Sequence, residues 1–209
     1  MPYRKQYITL ATPAWPPNPQ RMNSIYATIA RAIHAPDHAQ KTILLKAISH
    51  ELVSFDLNCA AYLATQGDFD AWHSGAVAKI TAIPFTWADA AGEVHATLSF
   101  GAAQKLLNLG LKDWWAIAPN GVNPGNLVDR LHGPLDQVVY ACTSRFVGRL
   151  PSLHGPTGVI KLYVAYLSPA DYLIYQGHLD IVAKRFSAGL HLSRAPHRIE
   201  IEQLLWGWI

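Results

Sequence analysis

Ser99-Phe100-Gly101-Ala102-Ala103-Gln104-Lys105-Leu106-Leu107-Asn108-Leu109-Gly110-Leu111-Lys112-Asp113-Trp114-Trp115 reads as one amphipathic helix opened by a serine cap. Leu107, Leu111 and Trp114 recur at helical spacing and form an apolar face. Gly101, Lys105, Asn108 and Lys112 follow one another by steps of four, three and four, so the spacing predicts a single polar stripe. The same periodicity appears on both sides of this segment, and it predicts an all-α chain of about seven helices with little strand.

Toward the N-terminus, Pro13, Pro16, Pro17 and Pro19 predict an extended arm over 1–21. Asn23 caps a helix to His34 marked by Ile25, Ile29 and Ile33, and a second helix begins near Asp37 with Ile43, Leu44, Ile48 and Leu52 on one stripe. The pattern continues through Ala60 to Leu63, and Asp68 to Ile83 predicts a weaker helix. Toward the C-terminus, Pro134-Leu135-Asp136 opens a helix to about Val147, since proline fits the first helical turn and a carboxylate suits its positive end. A short β-branched run covers Val159 to Tyr166. Ser168-Pro169 starts a long helix to Phe186, and Ile199 to Ile209 reads as a last amphipathic helix. The chain is expected to be one compact unit, or two helical subdomains (22–97 and 98–209) with a cleft between them.

Half of the 209 residues are apolar, 15% are charged and seven are Trp, which excludes a disordered tail and gives enough material for a sizeable core. No run approaches the ~18 apolar residues of a membrane span, and the prolines after the charged start leave no secretory signal, so a cytoplasmic address and no membrane partner are expected. Two cysteines, Cys59 and Cys142, exclude a four-cysteine cluster, and ten histidines lie without metal-binding spacing, so neither metal nor cofactor is expected. Net charge is +3; residues 1–98 balance, while 99–209 carry ten basic and seven acidic residues. That surplus hints at a phosphate-facing surface in the second half.

Lys105 and Asp136 admit two readings from spacing. One is a solvated helix lysine and a capping carboxylate. The other is a pair facing one cleft, in which burial or a neighbouring cation such as Lys112 favours the neutral, nucleophilic amine and Asp136 supports charge developing on a sugar.

The second half resembles the core of the helix-hairpin-helix DNA glycosylase superfamily. Gly101-Ala102-Ala103-Gln104-Lys105 is similar to its Gly-x-Gly-x-Lys hairpin with Ala103 in place of the second glycine, Pro134-Leu135-Asp136 is similar to its Pro-x-Asp, and Arg145 matches a recurrent arginine nine residues on. The 31-residue span from Lys105 to Asp136, with Gln104-Lys105 followed by Lys112, resembles the archaeal 8-oxoguanine branch. The likeness covers about residues 98–147.

The resemblance implies a multi-helix glycosylase fold with a divergent helix-hairpin-helix. It also implies a monomer acting on double-stranded DNA that contains a modified base, either 8-oxoguanine or a hypermodified base of the phage type, in repair or in antiviral defence. Lys105 and Asp136 become the catalytic residues, with lyase chemistry through a Schiff base on Lys105. Phe100, Gly101, Ala102 and Ala103, through backbone amides, and Gln104, Lys112, Arg145 and Arg149 become the DNA contacts. Trp72, Trp114 and Trp115 are candidates for stacking on an extruded base, against the plainer reading that they are core. A non-catalytic helical DNA-binding module and an all-helical interaction domain are the alternatives.

Overall fold

The computed structural model describes residues 38–88, 94–117, 128–135, 137–147, 167–189 and 195–206. Among these, six α-helices and one two-stranded sheet follow in the order α1 (His38–Tyr62), α2 (Gln66–Thr81), β1 (Pro84–Ala88), β2 (Val94–Thr97), α3 (Phe100–Ile117), α4 (Gln137–Val147), α5 (Pro169–Gly189) and α6 (Arg198–Trp206), with a 3-10 turn at Val128–Arg130. The mostly helical class expected from periodicity is what the described residues adopt. The arm over 1–21, the helix expected at 23–34 and the β-branched run at 159–166 lie outside them.

Local chemistry sets the helix ends. Thr65 caps α2 by accepting the Asp68 amide at 3.1 Å, and Ser99 caps α3 by accepting the Ala102 amide at 3.2 Å. Ser168 accepts the Asp171 amide at 3.1 Å while its hydroxyl donates to the Asp171 carboxylate at 2.6 Å, which fixes the start of α5. The two apolar stretches read before Thr65 form one helix, α1, broken only by the non-helical backbone of Asn58, whose side chain donates back to the Ser54 carbonyl at 2.8 Å.

β1 and β2 pair antiparallel, Trp87 opposite His95 and Ala88 opposite Val94, with a bulge between Pro84 and Trp87. These strands stand directly before α3. The segment entering Lys105 is thus a strand-to-helix junction. Pro84, the β-branched Thr86, Val94 and Thr97 and the aromatic Phe85 and Trp87 favour a pleated ribbon over another helical turn.

Two apolar clusters fill the interior. The first joins α1 (Leu44, Ile48, Leu52, Phe55), α2 (Phe69, Val77, Ile80), α3 (Ala103, Leu107, Leu111, Trp114), Leu131 and Ile199. The second joins Leu135 and α4 (Val139, Cys142) to α5 (Tyr172, Leu179, Val182, Phe186) and α6 (Ile201, Leu205). Phe100 packs against both. The chain crosses between them at 132–135, and all four residues of that loop are buried. Buried backbone must find hydrogen-bond partners, and this requirement builds the site.

Candidate functional site

His132-Gly133-Pro134-Leu135 runs inside the protein without regular structure, so its polar groups are satisfied by side chains from the surrounding helices. Gln176 on α5 does this twice: its Oε1 accepts the Gly133 amide and its Nε2 donates to the Gly133 carbonyl, each at 2.9 Å. Gln104 on α3 donates to the Leu135 carbonyl at 3.0 Å and to the Gly101 carbonyl at 2.8 Å. Gly133 is glycine because a Cβ there would stand 2.6 Å from the Arg198 carbonyl oxygen and 2.7 Å from Leu179 Cδ1.

A chain of hydrogen bonds continues from Gln104. Asn108 Nδ2 donates to Gln104 Oε1 at 3.1 Å and to the Tyr172 hydroxyl at 2.8 Å. The hydroxyl lies 2.9 Å from His132 Nδ1, and His132 Nε2 lies 3.0 Å from Asp70 Oδ1. His73 Nε2 sits 3.0 Å from Asn108 Oδ1 and 3.3 Å from the Tyr172 oxygen. An ionised carboxylate only accepts, so His132 carries its proton on Nε2 and accepts from Tyr172 on Nδ1; Tyr172 then accepts from Asn108, and His73 donates through Nε2. Every bond from Asn108 to Asp70 thereby points the same way. His73, Gln104, Asn108, His132, Tyr172 and Gln176 are each no more than 2% exposed.

Burial determines the charge states. His73 is pushed down to about 3 by burial and then by its neighbour His132, against the hydrogen bond to Asn108 and the charge of Asp70. Burial lowers His132 as well, helped by the Arg198 charge and opposed by Asp70 and Asp180. Tyr172 is raised well above its ordinary value by burial, and the hydrogen bond to Asn108 only partly offsets this. Burial raises Asp70, but hydrogen bonds from His132 and Gln66 and the charges of His132 and Arg198 outweigh it, leaving the carboxyl below its usual range. At neutral pH one carboxylate therefore terminates a chain of neutral groups. Asp70 lies at the outer edge, where Gln66 donates to it at 2.8 Å and Arg198 forms a forked pair with Asp180 at 2.8 and 3.0 Å. His197 pairs with Asp129 in the same region.

The residues singled out in the sequence separate on this frame. Lys105 and Lys112 are both half-buried, seven residues apart on α3. Between them Asn108 is fully buried, so the expected polar stripe is no solvated face; it is the seam where α3 meets α2, α5 and the 132–135 loop. Gln104, expected as a DNA contact, is also fully buried, and its amide is engaged inside the protein. Ala103 packs its methyl in the first cluster. The amides of Ala102 and Ala103 already bond to the Ser99 hydroxyl and carbonyl, so the expected phosphate cradle of backbone amides is not formed by these two. Phe100 packs edge-on against Tyr172 with ring centroids 5.5 Å apart.

Asp136 and Arg149 lie outside the described residues, and Arg145 falls within α4. Trp114 is core, donating to the Asp56 carboxylate at 2.5 Å, and Trp72 lies among Phe55, Tyr62 and Phe69.

Sequence reasoning passed over His73, His132, Tyr172 and Gln176. A signal existed: His73 falls on the apolar face set by Phe69, Ala76 and Ile80, while Gln104 with Asn108 and Tyr172 with Gln176 each stand four apart on otherwise apolar helical faces. Polar residues in such positions require partners.

No helix among the described residues is long and apolar enough to cross a membrane, and no cluster of three or more His, Cys, Asp or Glu there could hold a metal ion. Comparison of the chain with family models, curated proteins and solved structures finds no match in any of the three.

Proposed function

We propose that the protein is a DNA N-glycosylase that extrudes a modified base and cleaves its glycosidic bond, with Lys105 and Asp136 as its chemical pair. The observation that carries this reading is the bond from the buried Gln104 amide to the Leu135 carbonyl. It ties the turn of α3 that bears Lys105 to Leu135, the residue that precedes Asp136 in the sequence. Lys105 is half-buried, an environment unlike that of a freely solvated surface lysine.

In this mechanism the neutral Lys105 amine attacks C1′ of the extruded nucleotide. The C1′–N bond breaks, the base leaves with its electron pair and takes up a proton, and the sugar opens to an imine on Lys105. Asp136 supports the positive charge that develops on the sugar. β-Elimination from the imine then cuts the strand. Lys112, Arg145 and Arg149 hold flanking phosphates in this reading. The substrate base is 8-oxoguanine or a hypermodified base of the phage type.

Borohydride reduction of the imine tests the proposal on duplexes carrying a panel of modified bases. Wild-type protein is expected to form a covalent adduct with one of them, and Lys105→Gln none. Alkali-labile sites without an adduct would mean base release without lysine chemistry; intact strands would refute the glycosylase reading on that panel and favour a binding module.

A further inference from the structure

We propose that Gln176 is a positioning residue that fixes the buried 132–135 loop against the Lys105 turn of α3, through its two-way pair with the Gly133 backbone. The inference rests on the glycosylase reading for its chemical consequence, but the positioning itself does not need that reading. Gln176 satisfies both the donor and the acceptor of Gly133, as a neighbouring strand would, and it does so from α5, far along the chain from α3. Gln104 supplies the other anchor, on Leu135. Only Pro134 separates the two anchored residues, Gly133 and Leu135, and its ring restricts the backbone of that short span. The Tyr172 hydroxyl, bonded to both Asn108 and His132, fastens the preceding residue of the loop to the same two helices. Three of the four residues of the loop, His132, Gly133 and Leu135, are therefore held by side chains of α3 and α5. Gln176 touches no reacting atom; it acts through Gly133.

Gln176→Glu converts this role into a pH signal. As a carboxylate, the new side chain still accepts the Gly133 amide but sets a second oxygen against the Gly133 carbonyl. As a neutral acid its O–H donates to that carbonyl, and the wild-type pattern returns. Burial raises the pKa of such a carboxyl above the ordinary carboxylate range, so the recovery is read over a pH series that descends from alkaline to mildly acidic. The titratable groups of the network that shares the loop are His132 in the loop, Tyr172 on α5 and Asp70 and His73 on α2, with the Arg198–Asp180 pair at its edge. All are present in the wild type, so the ratio of variant to wild type at each pH isolates residue 176.

The first readout is amide hydrogen exchange at Gly133 and Leu135, relative to Leu107 in α3. At high pH, exchange at Gly133 in the variant is expected to rise about tenfold over wild type, the loss expected for one buried hydrogen bond, and to return toward wild type as the pH falls. Unchanged exchange across that range overturns the proposal. The second readout is single-turnover base release with DNA affinity measured alongside. The expected result is a rate about tenfold down at high pH, recovering with acid, at unchanged affinity. Faster exchange with an unchanged rate would overturn the positioning role in chemistry. Wild-type protein that processes no duplex would remove the glycosylase reading, while the exchange result still decides whether Gln176 holds the loop.

Should Gln176→Glu fail to fold, Gln176→Asn tests the same claim. It keeps the amide but is one methylene too short to reach both Gly133 groups, and it is expected to loosen the Gly133 amide and slow base release without weakening DNA binding. Wild-type exchange and rate in Gln176→Asn would overturn the proposal.

Discussion

Acid should unlock the buried polar seam at a cost that the structure sets. His73 is held at about 3 in the folded protein, against an ordinary value of 6.5, mainly by burial. The unfolded chain therefore binds a proton that the folded chain refuses between these values. For this depressed group the stability is complete above the unfolded value and is lost as pH falls from there toward about 3. Integrated over the whole window the loss approaches ~5 kcal/mol, and between about pH 6.5 and 4.5 it comes to ~2 kcal/mol. A typical domain has only ~5–15 kcal/mol in total, so the effect is large enough to measure.

His132 is also depressed and adds to the slope in the same direction. Asp70, depressed from 3.8, contributes its loss mainly below about pH 4, which sets the lower end of the useful range. The comparison that isolates His73 is His73→Gln, which retains an amide donor for Asn108 Oδ1 and takes up no proton. Denaturant unfolding at constant ionic strength, across about pH 6.5 to 4.5, should show wild type losing ~2 kcal/mol more than the variant, whatever their offset at neutral pH. Parallel curves would refute the reasoning, because His73 would then titrate alike in folded and unfolded chains.

Two further substitutions probe the same architecture. Gly133→Ala should destabilise by ~1–3 kcal/mol, since the added Cβ meets the Arg198 backbone carbonyl at 2.6 Å and a backbone atom cannot rotate away; a denaturation midpoint equal to wild type would contradict it. Ser168→Ala removes the cap of α5 and its bond to Asp171, and should cost ~1 kcal/mol in thermal or denaturant melts with the m-value unchanged.

Some of this protein is dictated locally. The cap at Ser99, the apolar face of Leu107, Leu111 and Trp114, and the Ser168-Pro169 start of α5 follow from short-range rules, because capping and helical periodicity involve residues within about a turn or two of one another. The pairing of Gln104-Lys105 with Pro134-Leu135-Asp136 as candidate chemistry is what the family resemblance implies, and it belongs to the proposal. Where local signals compete, reading falters: the stretch before α3 forms a bulged hairpin, and the kink at Asn58 within α1 carries no sequence breaker such as proline or glycine.

What tertiary structure alone decided is the meaning of the polar residues. Gly101, Lys105, Asn108 and Lys112 share one helical stripe by sequence, yet Asn108 is sealed between α2, α3 and α5 and serves as the branch point of the network. Gln104, read as a DNA contact, is buried and bonds to the Leu135 carbonyl of the 132–135 loop. His73, His132, Tyr172 and Gln176 stand far apart along the chain and acquire a role only when two apolar clusters close around the 132–135 loop. A helical pattern states which residues share a face. Whether that face meets water or another helix depends on packing between distant segments, and burial then demands that each polar group find a partner.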